Sequence, residues 1–85
     1  MIAFRSHYIT GKKNLIGPKI REARIAAKPH LTQAELSARL ETLGVHIDRA
    51  GISKIENQER IVTDAELVAL AKALKVSVPW LLESK

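Results

Sequence analysis

The chain has 85 residues, which is enough for one small domain and leaves little room for a deep catalytic cleft. It contains no cysteine, so disulfide bonds and thiolate metal sites are excluded. The net charge is +5, and residues 1–30 hold seven Lys or Arg against one acidic residue, Glu22. This basic segment favours a polyanionic partner, although a tail that only aids solubility would have the same composition.

The first segment, residues 1–15, shows neither the alternation of a strand nor the period of a helix. We predict a basic, flexible N-terminal arm there and a folded domain over residues 16–85. No apolar run approaches the roughly 18 residues that cross a bilayer, and the start lacks the apolar core of a signal peptide. We therefore expect a cytoplasmic protein with no membrane partner.

A first helix is predicted from Gly17, with Pro18 in the first turn, where the missing N–H of proline costs nothing. Pro29 should end it, because the residue before a proline resists the helical conformation. Ile25 falls on the opposite side of the predicted helix from the apolar face. That face consists of Ile16, Ile20, Ala23 and Ala27.

A second helix is predicted from Thr32 and Glu35, which have the spacing of a capping box. We predict that it ends at Gly44. Its inward face should consist of Leu36, Leu40 and Leu43.

A third helix is predicted over residues 49–57, with Asp48 as its N-cap. Ile52 and Ile55 should point inward, with Glu56 at the edge of that face. The outward face has no large apolar group and carries donors suited to phosphates and base edges. It consists of Arg49, Ala50, Ser53, Lys54 and Asn57.

Two further helices complete the predicted domain. Thr63 and Glu66 form a second capping box, and Ser77 should cap a short last helix in which Trp80 closes the core. The inward residues of the fourth helix are Leu67, Leu70, Ala71 and Leu74. Five helices with short connections and no strand pattern predict an all-α domain.

In this order, the elements resemble the phage Cro/C1 repressor-like (XRE) helix-turn-helix family of DNA-binding regulators. The resemblance extends over residues 17–83. The residues that carry it are Ile20 and Arg24 in the first helix, the motif of residues 31–36, Ile52-Ser53-Lys54-Ile55-Glu56-Asn57 in the third helix, and the apolar pattern of residues 67–82. It implies a five-helix lambda-repressor-like DNA-binding domain.

The resemblance also implies roles for individual residues, because the third helix of such proteins enters the major groove of DNA. The residues expected to face the bases are Arg49, Ala50, Ser53 and Lys54. Those expected to bind phosphates are Gln33, Asn57 and Arg60. Arg24 and Glu56 should form a partly buried ion pair that sets the geometry of the helices.

Two features depart from the family pattern. The segment between Leu40 and Asp48 is longer than usual, so we expect the second helix to run one turn further and the connection to be looser. Gln58 stands where a glycine often follows the third helix. Asn57 is therefore expected to supply the left-handed residue at its end, in competition with phosphate binding.

We therefore expect a sequence-specific transcriptional regulator, most simply a repressor, that binds double-stranded DNA as a homodimer. A dimer would use residues 80–82 or the basic arm. No catalytic constellation is present, and His7, His30 and His46 lack zinc-ligand spacing, so we expect no enzyme, cofactor or metal. The alternative is a protein-interaction module, such as an antitoxin-like partner or a subunit of a larger regulatory complex, indicated by Ala50, Gly51 and the off-face Ile25.

Overall fold

The computed structural model describes residues 11–83, and within them the chain forms five helices and no strand. The helices are α1 (Gly17–Ala26), α2 (Gln33–Thr42), α3 (Arg49–Glu56), α4 (Asp64–Leu74) and α5 (Val78–Leu82). α3 packs against α1 and α2, and α4 packs against α1, α2 and α5. The predicted all-α fold with a helix-turn-helix, formed by α2 and α3, is confirmed.

Side-chain caps start four of these helices, at the residues that the sequence indicated. Thr32 Oγ1 accepts from the Glu35 amide at 3.0 Å, and Glu35 Oε1 accepts from the Thr32 amide at 2.8 Å. Thr63 and Glu66 repeat this capping box before α4. Asp48 caps α3 and Ser77 caps α5. Each cap satisfies a backbone N–H that has no partner within its helix.

The core lies between the first four helices and is closed by α5. The fully buried large side chains are Ile20, Leu36, Leu40, Ile52, Ile55, Leu70 and Leu81. Trp80 packs against this core from its edge, and Lys19 Nζ lies 4.1 Å from the centroid of its ring. Ile25 is 41% exposed, as its position opposite the apolar face of α1 predicted.

The α2–α3 connection, residues 43–48, corrects two expectations. α2 ends at Thr42 and Gly44 takes the left-handed backbone expected just after a helix, but Leu43 is 45% exposed, so the prediction that Leu43 faces inward is wrong. The Gly44 amide binds Glu41 O at 3.0 Å and the Val45 amide binds Leu40 O at 3.0 Å. This pattern turns the backbone out of the helical path, so the helical spacing of the inward leucines no longer applies at position 43.

The connection is also not loose. Ile47 is 3% exposed, and its carbonyl accepts from Ser37 Oγ at 2.6 Å. Gly51, in the first turn of α3, packs against the same segment, because a Cβ there would lie 2.8 Å from Ile47 Cγ2. The start of α3 is therefore fixed by a buried side chain and a hydrogen bond to α2.

The end of α3 corrects the expectation for Asn57. Asn57 has an ordinary backbone with φ of −87°, whereas Gln58 takes the left-handed conformation with φ of 62°. The Glu59 amide then binds Lys54 O at 2.8 Å and the Gln58 amide binds Ile55 O at 2.9 Å. Gln58 thus occupies the position that usually favours glycine, and Asn57 is left exposed at the end of the helix.

Residues 1–10 of the predicted arm lie outside the described part of the chain. Of its later residues, Leu15 packs against the core, and the Lys13 amide binds Gln58 O at 3.0 Å. Gly17 lies where α1 begins against the end of α3, and a Cβ there would overlap the carbonyl oxygens of Ile55 and Glu56. Residues 13–15 therefore lie on the domain. None of the described helices is long and apolar enough to cross a membrane.

Candidate nucleic-acid interface

The starts of α2 and α3 meet at a shallow depression on the surface. It is lined by Gln33, Arg49, Ala50 and Ser53. Gln33 and Arg49 are the first residues of their helices, so the capped N-terminal ends of both helices face this depression. Each of these ends is capped by an acidic side chain, Glu35 or Asp48, which offsets the partial positive charge of a helix N-terminus. The clear positive charge at the depression is therefore the exposed guanidinium of Arg49.

A buried ion pair joins the three helices behind this depression. Arg24 Nε donates to Glu56 Oε2 at 2.7 Å, and Arg24 Nη2 donates to Glu56 Oε1 at 3.1 Å. Arg24 Nη1 also donates to the carbonyl of Leu31, just before α2, at 2.9 Å. The residues are 8% and 7% exposed, so both charges are nearly removed from water. Two charge-assisted bonds in this geometry fix the end of α3 relative to α1.

Gln33 extends this network to the depression. Its Nε2 atom donates to Glu56 Oε1 at 3.1 Å, which holds the half-buried side chain in one orientation. A side-chain amide nitrogen carries two N–H donors, so a second donor remains for a ligand. Gln33 is therefore both a member of the network behind the depression and part of its lining.

The remaining predicted site residues lie outside the depression. Lys54 and Asn57 are exposed, at the last turn and the end of α3. Arg60 lines a separate cleft together with Asp48 and Gly51. The structure therefore brings four of the seven predicted DNA-binding residues to one depression and distributes the other three along α3 and beyond it.

Arg60 forms a second ion pair, which sequence reasoning missed. Its Nη1 and Nη2 atoms donate to Glu66 Oε1 and Oε2, each at 3.0 Å, and Nη1 also donates to Ile61 O at 3.1 Å. The hydrogen bond from Arg60 lowers the pKa of the Glu66 carboxyl below its ordinary value, and the bond to Glu66 raises the pKa of Arg60. The segment after α3 is thereby tied to the capping box of α4.

Three polar residues that had no predicted role hold α3 at its two ends. Ser37 binds the α2–α3 connection, and Asn14 and Gln58 join the segment before α1 to the end of α3. Asn14 carried one local signal, because Asn is a common cap and it stands three residues before Gly17. The partners of Ser37 and Gln58 are distant enough in sequence that no local pattern indicated them.

Residues 11–83 include no group of His, Asp and Glu that could hold a metal ion. No match was found among curated proteins or among solved structures. A helix-turn-helix family model matches residues 20–81, from α1 to α5, and this family is a DNA-binding regulatory one rather than an enzymatic one. The match includes α2, α3 and the whole depression between them. The chain therefore belongs to the Cro/C1-type (XRE) helix-turn-helix family.

Proposed function

We propose that the protein is a sequence-specific transcriptional regulator, acting as a repressor in the cytoplasm, that places α3 in the major groove of double-stranded DNA. The observation that carries this proposal is the depression where the exposed Arg49 meets Gln33, Ala50 and Ser53. In a helix-turn-helix the start of the second helix of the motif contacts base edges. Arg49 is exposed at that start, and the Arg24–Glu56 pair fixes the opposite end of α3.

Within this proposal the residues divide into two roles. Arg49, Ala50, Ser53 and Lys54 face the bases, with Arg49 as the principal contact because a guanidinium can donate two parallel bonds to guanine. Gln33, Asn57 and Arg60 bind phosphates. For Gln33 the available group is the second N–H of its amide. For Arg60 it is the part of the guanidinium that does not bind Glu66 or Ile61, since its side chain is 31% exposed.

We further propose a homodimer that binds two half-sites related by a two-fold axis. Leu81 is fully buried and Trp80 is half-buried, so of residues 80–82 only Leu82, at 44% exposure, offers a large free apolar surface. Leu82 lies at the end of α5 and lines a cleft with Leu15 and Leu67, which adds to the apolar surface there.

The second candidate function is a protein-interaction module, either an antitoxin-like partner or a subunit of a larger regulatory complex. It is favoured by Ile25, which is 41% exposed and lines a groove beside α1 with Pro18 and Ala26. Recovery of one stoichiometric protein partner, with binding intact in Arg49→Ala and Lys54→Ala, would favour this function over DNA binding.

The test of DNA binding is a fluorescence-anisotropy titration of a random-sequence duplex pool at two salt concentrations. Protein that neutralises phosphates releases counterions, so the affinity should fall steeply as salt rises. Absence of any salt-sensitive binding would contradict the proposal.

A further inference from the structure

Asn14 joins three parts of the chain around the end of α3. Its Nδ2 atom donates to Ile55 O at 3.1 Å, in the last turn of α3, and to Arg60 O at 2.8 Å, in the segment that follows. Its Oδ1 atom accepts from the Gly17 amide at 2.8 Å, at the start of α1. One side chain thus fixes the segment before α1 relative to α3.

Gln58 also holds the segment before α1. Its Nε2 atom donates to Asn14 O at 3.0 Å, and its own carbonyl accepts from the Lys13 amide at 3.0 Å. A left-handed backbone is unfavourable for a residue other than glycine, and these bonds offset part of that cost. The backbone of Lys13 is therefore fixed beside Gln58, and Gln58 directly follows the exposed Asn57.

This arrangement places two exposed cations beside the end of α3. Lys12 and Lys13 are both exposed, and among residues 11–83 neither forms a salt bridge with a carboxylate. Two adjacent lysines without an acidic partner repel each other, and together they attract an anion. Anchoring the backbone also lowers the entropy lost when the ammonium groups bind.

We infer that Lys12 and Lys13 bind backbone phosphates of the duplex that α3 enters, and that Asn14 is the positioning residue that holds them there. The inference rests on the proposed function, in which Asn57 binds a phosphate at the end of α3. The Lys13 backbone lies beside Gln58, the residue after Asn57, because the Lys13 amide binds the carbonyl of Gln58. The two lysines extend the proposed interface from the start of α3 to the segment before α1.

The experiment measures the salt dependence of binding to one mixed-sequence duplex of about 25 base pairs, long enough for two half-sites one helical turn apart. Lys12→Gln/Lys13→Gln is compared with the wild-type protein and with Lys72→Gln/Lys75→Gln, which removes the same charge at the end of α4. The C-terminal end of α4 packs against the C-terminal part of α2, because Arg39 Nη1 donates to Ala73 O. It therefore lies away from Gln33, which is at the N-terminal end of α2. All four lysines are exposed, so both variants should fold.

The slope of log K against log salt is negative, and each lost phosphate contact makes it less steep by about 0.9. The slope for Lys12→Gln/Lys13→Gln should therefore be less steep by about 1.8, and its affinity at 0.1 M salt should fall by more than about tenfold. The control should keep a slope close to that of the wild type. An unchanged slope in Lys12→Gln/Lys13→Gln, or an equal change in both variants, would overturn the inference.

A double-mutant cycle tests the positioning role of Asn14. Asn14→Ala should weaken DNA binding in the wild-type protein and have little further effect in Lys12→Gln/Lys13→Gln, because the positioned groups are then absent. An equal effect in both backgrounds would mean that Asn14 acts through α3 alone and would overturn its role. Failure of the wild type to bind DNA would overturn the proposed function as well, whereas wild-type binding with an unchanged variant slope overturns only this inference.

Discussion

Arg24 and Glu56 are the buried charged residues of the described chain, and their geometry explains why both are tolerated there. Burying an ion pair costs several kcal/mol in desolvation, which is compensated only where the geometry is good and the remaining polar atoms have partners. Here Leu31 O and Gln33 Nε2 supply those partners. Within residues 11–83 no buried side-chain nitrogen or oxygen lacks a hydrogen bond. The pair therefore determines the geometry of α3 rather than simply adding stability.

Removing one member of this pair should destabilise the fold strongly. Arg24→Ala leaves the Glu56 carboxylate buried without its cation, and we expect a loss of about 3–5 kcal/mol in the free energy of unfolding. Urea denaturation measures this. Arg21→Ala, on the exposed side of the same helix, is the control and should change stability by less than about 0.5 kcal/mol. Similar losses in the two variants would show that the pair is not fixed as described.

The α2–α3 connection sets the start of α3. Ile47 is buried in this connection, whereas Leu43 is nearly half exposed. Ile47→Ala should therefore lower the free energy of unfolding by about 2–5 kcal/mol, because it removes a buried side chain and leaves a cavity. Thermal or urea denaturation of Ile47→Ala and Leu43→Ala compares the two positions directly.

Leu43→Ala is the matched control, since it removes a branched aliphatic side chain of equal size from the same connection. We expect it to cost less than about 1 kcal/mol, because exposed side chains contribute little. A larger loss in Leu43→Ala than in Ile47→Ala would restore the interpretation in which Leu43 faces the core.

The Arg60–Glu66 pair makes stability depend on pH at acidic values. Hydrogen bonds from Arg60 hold the pKa of Glu66 in the folded protein below its ordinary value of 4.5. The unfolded chain therefore binds the proton more tightly, so the stability from this carboxylate is fully present above pH 4.5 and is lost as pH falls through the lower folded pKa. In urea denaturation from pH 6 to pH 2, Glu66→Gln should lose less stability over this range than the wild type.

Arg60→Met provides the control for this measurement, because it removes the hydrogen bonds that lower the pKa of Glu66. Its stability should fall less than that of the wild type over the same pH range. If Glu66→Gln and the wild type lost stability in parallel as the pH falls, the Arg60 pair would not be the cause.

Local signals were sufficient to predict where most of the helices begin. The Thr32–Glu35 and Thr63–Glu66 boxes and the Asp48 cap act within a single turn, so their residues predict their own structure. The helix ends were harder to predict. Leu43 lies past the end of α2, and Gln58 takes a left-handed backbone that Asn57 was expected to adopt.

The part of the interface that the sequence did not predict depends on contacts between residues far apart in the sequence. The outward face of α3 follows from helical periodicity, which is why Arg49, Ala50 and Ser53 line one surface. Arg60 binds Glu66, and Asn14 binds the end of α3. Both contacts depend on how the folded chain brings separate segments together. Such contacts depend on tertiary packing, which cannot be predicted from periodicity or capping patterns.

The interactions described above together fix the placement of α3. Its start is held by Ile47 and by the Asp48 cap, and its end by Glu56 and by Asn14. Such support keeps the first turn of α3 in a fixed orientation while leaving its outward face free. A rigid helix presented in this way is suited to sequence-dependent contacts in a groove, because little order has to be gained on binding.

We propose that the exposed start of α3 determines which DNA sequence is bound. Selection of bound sequences from a randomised duplex library, performed in parallel with wild-type protein and Arg49→Ala, tests this proposal. The wild type should enrich two half-sites related by a two-fold axis and about one helical turn apart, and Arg49→Ala should relax preference at one base pair of each half-site. Enrichment of no sequence by the wild type, or of the same sequence with equal stringency by Arg49→Ala, would contradict the proposal.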